Sequence, residues 1–206
     1  LHLLEAREGV MALSHRKHQA KLNQRLLDRV RALVAPRGTR AVAAMILGIP
    51  NVGKSTLINA LSGRTIAKTS NKPAVTRHQQ RVKVGKELVL WDTPGFLWPR
   101  LTPAACGYRL AVTGAISDRV VDAEDIACFA ARFLAERYPD RLVGCYGMTE
   151  LPEGEAAILE AIARRRGYLR KGGVVDLERA ANTLLKDLGA GGLGRISLET
   201  PADCMG

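Results

Sequence analysis

The sequence predicts an α/β domain organised around a phosphate-binding loop, followed by a small all-helical domain. Three observations predict this. The apolar run at residues 41–47 leads into Gly48-Ile49-Pro50-Asn51-Val52-Gly53-Lys54-Ser55, a G-x-x-x-x-G-K-S loop, and a helix-forming stretch at residues 56–61 follows it. A second strand ends in Asp92-Thr93-Pro94-Gly95, 38 positions after Lys54. Beyond Pro99 the hydrophobic pattern becomes helical.

Taken in order, Gly9-Val10-Met11-Ala12-Leu13-Ser14 reads as a short buried strand ending in a small polar residue. The first residue is Leu1 rather than Met, which suggests a fragment of a longer product. Residues 19–34 predict a helix, with Leu22, Leu26, Val30, Leu33 and Val34 at helical spacing and Lys21, Arg25, Arg29 and Arg31 on the other face. Pro36-Arg37-Gly38 ends it, and residues 41–47 read as a buried strand.

In the loop that follows, glycines let backbone N–H groups turn inward around phosphate oxygens. The helix N-terminus adds unpaired donors and a partial positive charge. Gly48, Asn51, Val52, Gly53, Lys54, Ser55 and Thr56 are therefore candidate nucleotide-binding residues. Lys54 neutralises the outer phosphates, and the Ser55 hydroxyl is a ligand for Mg²⁺. Gly63 closes the helix.

The polar segment 64–77 has little periodicity and is placed to reach bound phosphates; it ends in Pro73-Ala74-Val75-Thr76. Residues 79–84 and 87–91 flank Gly85-Lys86 and predict a hairpin whose second strand runs into Asp92-Thr93-Pro94-Gly95. This is the pattern of a nucleotide switch. The Asp92 carboxylate would hold Mg²⁺ through water, the Gly95 N–H would sense the terminal phosphate, and Thr76 would add its hydroxyl to the metal when a triphosphate is bound. Lys54, Thr76 and Gly95 are thus the candidate catalytic residues, and Ser55, Thr76 and Asp92 the candidate Mg²⁺ ligands.

In the second half, Asp122 predicts the N-cap of a helix carrying Ile126, Phe129, Ala130, Phe133, Leu134 and Tyr138, ending before Pro139. Ile158, Leu159, Ile162 and Ala163 mark another helix, ended by Gly167. Leu177, Ala180, Ala181, Leu184, Leu185 and Leu188 mark a third, ended by Gly189. The expected organisation is a nucleotide domain at 1–100, a helical domain at 101–190, and a tail at 191–206 whose lack of periodicity suggests loose chain.

The net charge of +11 is unevenly distributed. Residues 1–100 carry 18 Lys and Arg against 5 Asp and Glu, whereas residues 101–206 carry 13 against 15. A basic half of this strength suggests a polyanionic partner, RNA or DNA, with a merely basic nucleotide domain as the alternative. Cys106, Cys128, Cys145 and Cys204 form no C-x-x-C pair and suggest free thiols of a reducing cytosol. The apolar runs are too short to cross a bilayer.

Specificity for guanine normally needs N-K-x-D and S-A-K segments after D-T-P-G, and residues 96–206 contain neither. With a strand-like segment ahead of the phosphate loop, this points to a circularly permuted motif order, in which base-binding segments precede the loop. Ser14-His15-Arg16 is a poor match to the S-A-K segment. His2, His15, His18 and His78 show no catalytic pairing.

The sequence resembles the circularly permuted GTPases of the YlqF/RbgA ribosome-biogenesis family. The matching segments are residues 48–59, Ile66-Ala67-Lys68, Pro73-Ala74-Val75-Thr76 and Asp92-Thr93-Pro94-Gly95-Phe96-Leu97-Trp98-Pro99, with residues 109–116 and 194–199 further on. The resemblance implies binding of GTP and GDP, GTP hydrolysis, assembly of the 50S ribosomal subunit from its precursor, a cytoplasmic monomer, and contact with ribosomal RNA through the helical domain. Arg164-Arg165-Arg166 with Arg170 and Lys171 is the matching candidate patch, with a solvated helix end as the alternative. The family's N-K-x-D is missing from this chain, so weak nucleotide affinity and reduced base selectivity are expected. Phe96 stands where Ras-like enzymes carry a water-positioning glutamine, and packing under the switch is its simpler role. Hydrolysis then relies on a group from elsewhere, on a partner, or on a monovalent cation. Asn51 resembles the position that supports K⁺ activation in related GTPases. A different class of function, an RNA-binding scaffold with a residual nucleotide pocket, would leave RNA association insensitive to Lys54→Ala. A phosphate-loop ATPase is disfavoured by D-T-P-G.

Overall fold

A computed structural model describes residues 20–33, 41–65, 79–86, 88–98, 100–116 and 122–200. The strand expected at Gly9–Ser14, the segment 66–78 with Thr76 and His78, and His2, His15 and His18 lie outside these residues. The chain divides into two compact units, Leu1–Leu97 and Trp98–Gly206.

The first unit contains α1 (Ala20–Leu33), β1 (Val42–Ile46), α2 (Lys54–Ser62), β2 (Gln80–Val84) and β3 (Leu88–Asp92). The strands form one sheet in the order β1-β3-β2. β1 runs parallel to β3, with Ile46 opposite Asp92, and β2 pairs antiparallel with β3, with Gln80 opposite Asp92. Parallel strands need a crossover, which here carries the helix after the phosphate loop. Gly85, at φ +61°, makes the hairpin turn that an L side chain would resist.

Ile58 of α2 is fully buried against Val82, Val84, Leu88 and Leu90, and Leu27 and Val30 of α1 join the same cluster. Central β3 reads Leu-Val-Leu and is buried over that run. The expectation of a wholly buried β1 is corrected. Val42, Ala44 and Ile46 are half-buried, but Ala43 and Met45 are exposed, Met45 by 55%. β1 lies at the edge of the described sheet, and α1 and α2 both pack on the face opposite Met45. Among the described residues of this unit, helices cover one face of the sheet.

The second unit contains α3 (Ala104–Val112), α4 (Ala123–Arg137), α5 (Pro139–Tyr146), α6 (Glu155–Arg166) and α7 (Leu177–Ala190). Alanines 127, 130 and 131 of α4 and 180 and 181 of α7 are buried, and these short side chains let the two helices pack closely around Leu134 and Leu184. The Asp122 carboxylate caps α4 by accepting from the Glu124 N–H at 3.0 Å. Gly167, at φ +69°, ends α6 as expected. α7 continues one residue past Gly189 and is capped by Gly191.

Residues 191–200 are not loose. Leu193 is buried, and Ile196 and Leu198 pack against the helical core. The Tyr138 hydroxyl accepts from the Ser197 N–H and donates to the Ser197 carbonyl, both at 3.1 Å, and Arg109 pairs with Glu199 at 2.9 Å. An irregular segment buries side chains without a repeat, so periodicity could not reveal this docking. At the opposite helix end, the Tyr146 hydroxyl donates to the Asp187 carboxylate at 3.1 Å. Burial, and then Asp187, push the Tyr146 hydroxyl far above its ordinary pKa.

Candidate nucleotide site

The site is built where β1 and β3 end side by side. Because the two strands are parallel and in register at Ile46 and Asp92, the loops leaving them emerge on one edge of the sheet. The Thr93 hydroxyl ties these ends together by donating to the Ile46 carbonyl at 2.6 Å.

The phosphate loop then turns through conformations that glycine favours. Gly48 has φ +155° and Gly53 has φ +91°; between them Asn51 takes φ +57°. Asparagine tolerates this left-handed region better than most side chains. The Gly53 carbonyl accepts the first helical bond, from the Leu57 N–H at 2.8 Å. Lys54 folds back across the loop, donating from Nζ to the carbonyls of Gly48 at 3.0 Å and Ile49 at 2.8 Å. An ammonium has three donors, so one remains to face a phosphate. Burial lowers the Lys54 pKa from its ordinary value, and the Asp92 charge partly opposes that shift.

Asp92 is fully buried, the one buried charged residue among those described. Its Oδ2 accepts from the Ser55 hydroxyl at 3.0 Å, while Oδ1 has no hydrogen-bond partner. A buried carboxylate oxygen without a donor is costly, and a cation is the natural partner for it. The residues present therefore fit Mg²⁺, with Asp92 and Ser55 converging on one point.

Gly95 lies directly against the loop. A Cβ there would fall 2.6 Å from the Pro50 Cα and 2.7 Å from its N. The next residue, Phe96, donates its N–H to the Gly48 carbonyl at 3.3 Å. The Phe96 side chain is 62% exposed, so packing under the switch is not its role here. Val52 is also exposed, whereas Thr56 is half-buried at the start of α2.

The structure thus brings Gly48, Gly53, Lys54, Ser55, Asp92 and Gly95 together. Sequence reasoning missed two contributors, Pro50 and Thr93. Both stand inside the recognised motifs, but the signal for their roles is contact across the loop, which no spacing records. The candidate patch on α6 is largely engaged within the unit. Arg164 pairs with Glu160 at 2.6 Å, Arg166 with Asp187 at 3.5 Å, and Arg170 with Asp176 at 2.9 Å and Glu178 at 3.3 Å.

Residues 43–135 match the family model described as 50S ribosome-binding GTPase. The chain is 47% identical over 164 residues to a ribosome biogenesis GTPase A of Bacillus cereus, covering 80% of this chain and 55% of that protein. The chain is thus similar to ribosome biogenesis GTPases of the YlqF/RbgA family. A ribosome biogenesis GTPase A of Priestia megaterium is 45% identical over 183 residues, covering 89% of this chain and 63% of that protein. A solved GDP-bound YlqF superposes with a TM-score of 0.65 at 25% identity, over 98% of this chain and 75% of the other. The fold is that of a phosphate-loop GTPase. The chain spans between about half and two thirds of the length of these curated relatives.

Proposed function

We propose that this chain is the GTP-binding and GTP-hydrolysing portion of an assembly factor for the large ribosomal subunit. Similarity to proteins named ribosome biogenesis GTPases supports the biological setting. The observation that carries the chemistry is the buried Asp92 carboxylate, one oxygen on Ser55 and the other without a donor, beside the Lys54 ammonium that spans the loop.

In this reading Gly48 to Thr56 cradle the phosphates, with backbone donors and the remaining Lys54 proton facing their oxygens. Ser55 and Asp92 would hold Mg²⁺, which would neutralise phosphate charge, with Thr76 as a further ligand when a triphosphate is bound. The Gly95 N–H reports the terminal phosphate. Asn51 would support a K⁺ ion, which would supply positive charge where a glutamine is lacking. The motif order is circularly permuted, a reading supported by the lack of N-K-x-D after Gly95. Without that segment, residues 1–206 bind guanine nucleotides weakly and select the base poorly. Residues 1–100 form the nucleotide domain and 101–190 the helical domain. The protein acts as a cytoplasmic monomer on the 50S precursor and its ribosomal RNA; no described helix is long and apolar enough to cross a membrane.

The decisive experiment is Lys54→Ala, assayed for GTP hydrolysis and for release from large-subunit precursor particles. Loss of both supports the proposal. Retained hydrolysis, or release that continues without it, overturns the proposal.

A further inference from the structure

We propose that the surface facing RNA lies on the first unit, along the outer edge of the β2–β3 hairpin at Arg81, Lys83 and Lys86, and not on the arginine run that ends α6. The inference rests on the reading that the partner is RNA, and it assigns the contact to a place.

The first argument is the balance of charge. Residues 1–100 hold 18 cations and 5 carboxylates. Of those carboxylates, Asp92 is buried in the nucleotide site, and Asp28 accepts from Arg31 at 3.0 Å and from Gln24 at 2.9 Å. Three others cannot neutralise the remaining cations, so this half stays strongly positive whatever their positions. Residues 101–206 hold 13 cations and 15 carboxylates, and the contacts show the consequence. Arg164, Arg166 and Arg170 each meet a carboxylate, and Arg166 also lies over the Tyr146 ring at 5.5 Å. Arginines at the C-terminal end of a helix are favoured by its dipole, which gives the run a structural reason to exist.

The second argument is geometric. β2 is an edge strand, hydrogen-bonded to β3 alone among the described strands. Val82 and Val84 point into the core cluster, so strand alternation sends Arg81 and Lys83 to the other face, about 7 Å apart. Lys86 extends the row into the turn. All three are exposed, and no ion pair among the described residues involves them. A row of exposed cations without an ion pair among the described residues suits a phosphate backbone, where binding is driven by release of counterions.

The test uses an in-vitro transcript of large-subunit ribosomal RNA, with affinity measured from low to high salt. The variants are R81Q/K83Q/K86Q, its charge-reversed form R81E/K83E/K86E, and R165E/K171E, which breaks no ion pair of the described structure. Thermal melting and GDP affinity verify that each variant is folded. The expected result is RNA binding weakened about tenfold or more in the hairpin variants, with the slope of log affinity against log salt reduced by about 2. R165E/K171E should stay within about twofold of the unmodified chain. A loss that falls on R165E/K171E while the hairpin variants bind normally overturns the inference and leaves RNA as the partner. Unchanged RNA affinity with new self-association would make these cations guards of an open sheet edge, and also overturns it. Absence of RNA binding by the unmodified chain at low salt fails the RNA reading itself.

Discussion

Gly95 touches Pro50 so closely that a single added methyl group would lie within 2.6 to 2.8 Å of the proline Cα, N and Cγ. Two of these atoms are backbone, so a rotamer change cannot relieve the overlap. The switch segment and the phosphate loop are in direct contact at this point.

Gly95→Ala should therefore move one segment off the other and misplace the Gly95 N–H. A lost hydrogen bond to a charged group costs about 1.5–3 kcal/mol, or about tenfold or more in affinity. Calorimetry with GDP and with a non-hydrolysable GTP analogue should show that loss for the analogue, with GDP affinity changed much less. An equal loss for both would place the damage in the loop as a whole.

Asp92→Asn should separate stability from binding. In the protein without nucleotide, the substitution removes a buried charge held by one hydroxyl, so stability should hold or rise by about 1 kcal/mol. The Mg²⁺ dependence of nucleotide affinity should fall sharply in the same variant. Melting in a chelator, paired with a Mg²⁺ titration, reads both.

The lowered Lys54 pKa has a definite sign. The side chain binds its proton less tightly when folded than when unfolded, so the unfolded state holds more protons between the lowered value and 10.5. Stability without nucleotide should gain from Lys54 as pH rises through that window. The gain should be absent in Lys54→Met, measured as the difference between the two denaturation profiles over alkaline pH.

Tyr138→Phe should release the segment that docks on the helical unit. The hydroxyl makes two hydrogen bonds to Ser197, so the loss should be about 1–2 kcal/mol. Urea unfolding measures it, and limited proteolysis should cut near residues 195–200 sooner than in the unmodified chain.

Turnover should be faster in K⁺ than in Na⁺, through the Asn51 position. Equal rates in the two salts would remove the cation from the account.

The phosphate loop and D-T-P-G segment were legible because their chemistry forces unusual residues into fixed spacing. Gly48 and Gly53 take positive φ, and Lys54, Ser55 and Asp92 meet as that spacing implied. The helices at α4, α6 and α7 were legible through caps and aliphatic period. Two others were not. α3 is nine residues long and interrupted by Gly107. α5 is eight residues long and begins at Pro139, where proline at the first helical position starts a helix rather than stopping one. The half-exposure of β1 was hidden because an unbroken apolar run does not say which of its faces is covered.

The Thr93–Ile46 hydrogen bond joins the ends of β1 and β3 just before the segment that carries Gly95. It ties the end of β3 to the neighbouring strand, so in the proposed function the segment able to respond to the nucleotide would start at Pro94. A change at the terminal phosphate would swing a short arm bearing Gly95 and Phe96 while the sheet beneath stays still. Any partner that senses the nucleotide would then find its signal on that arm, carried by the outward Phe96 ring.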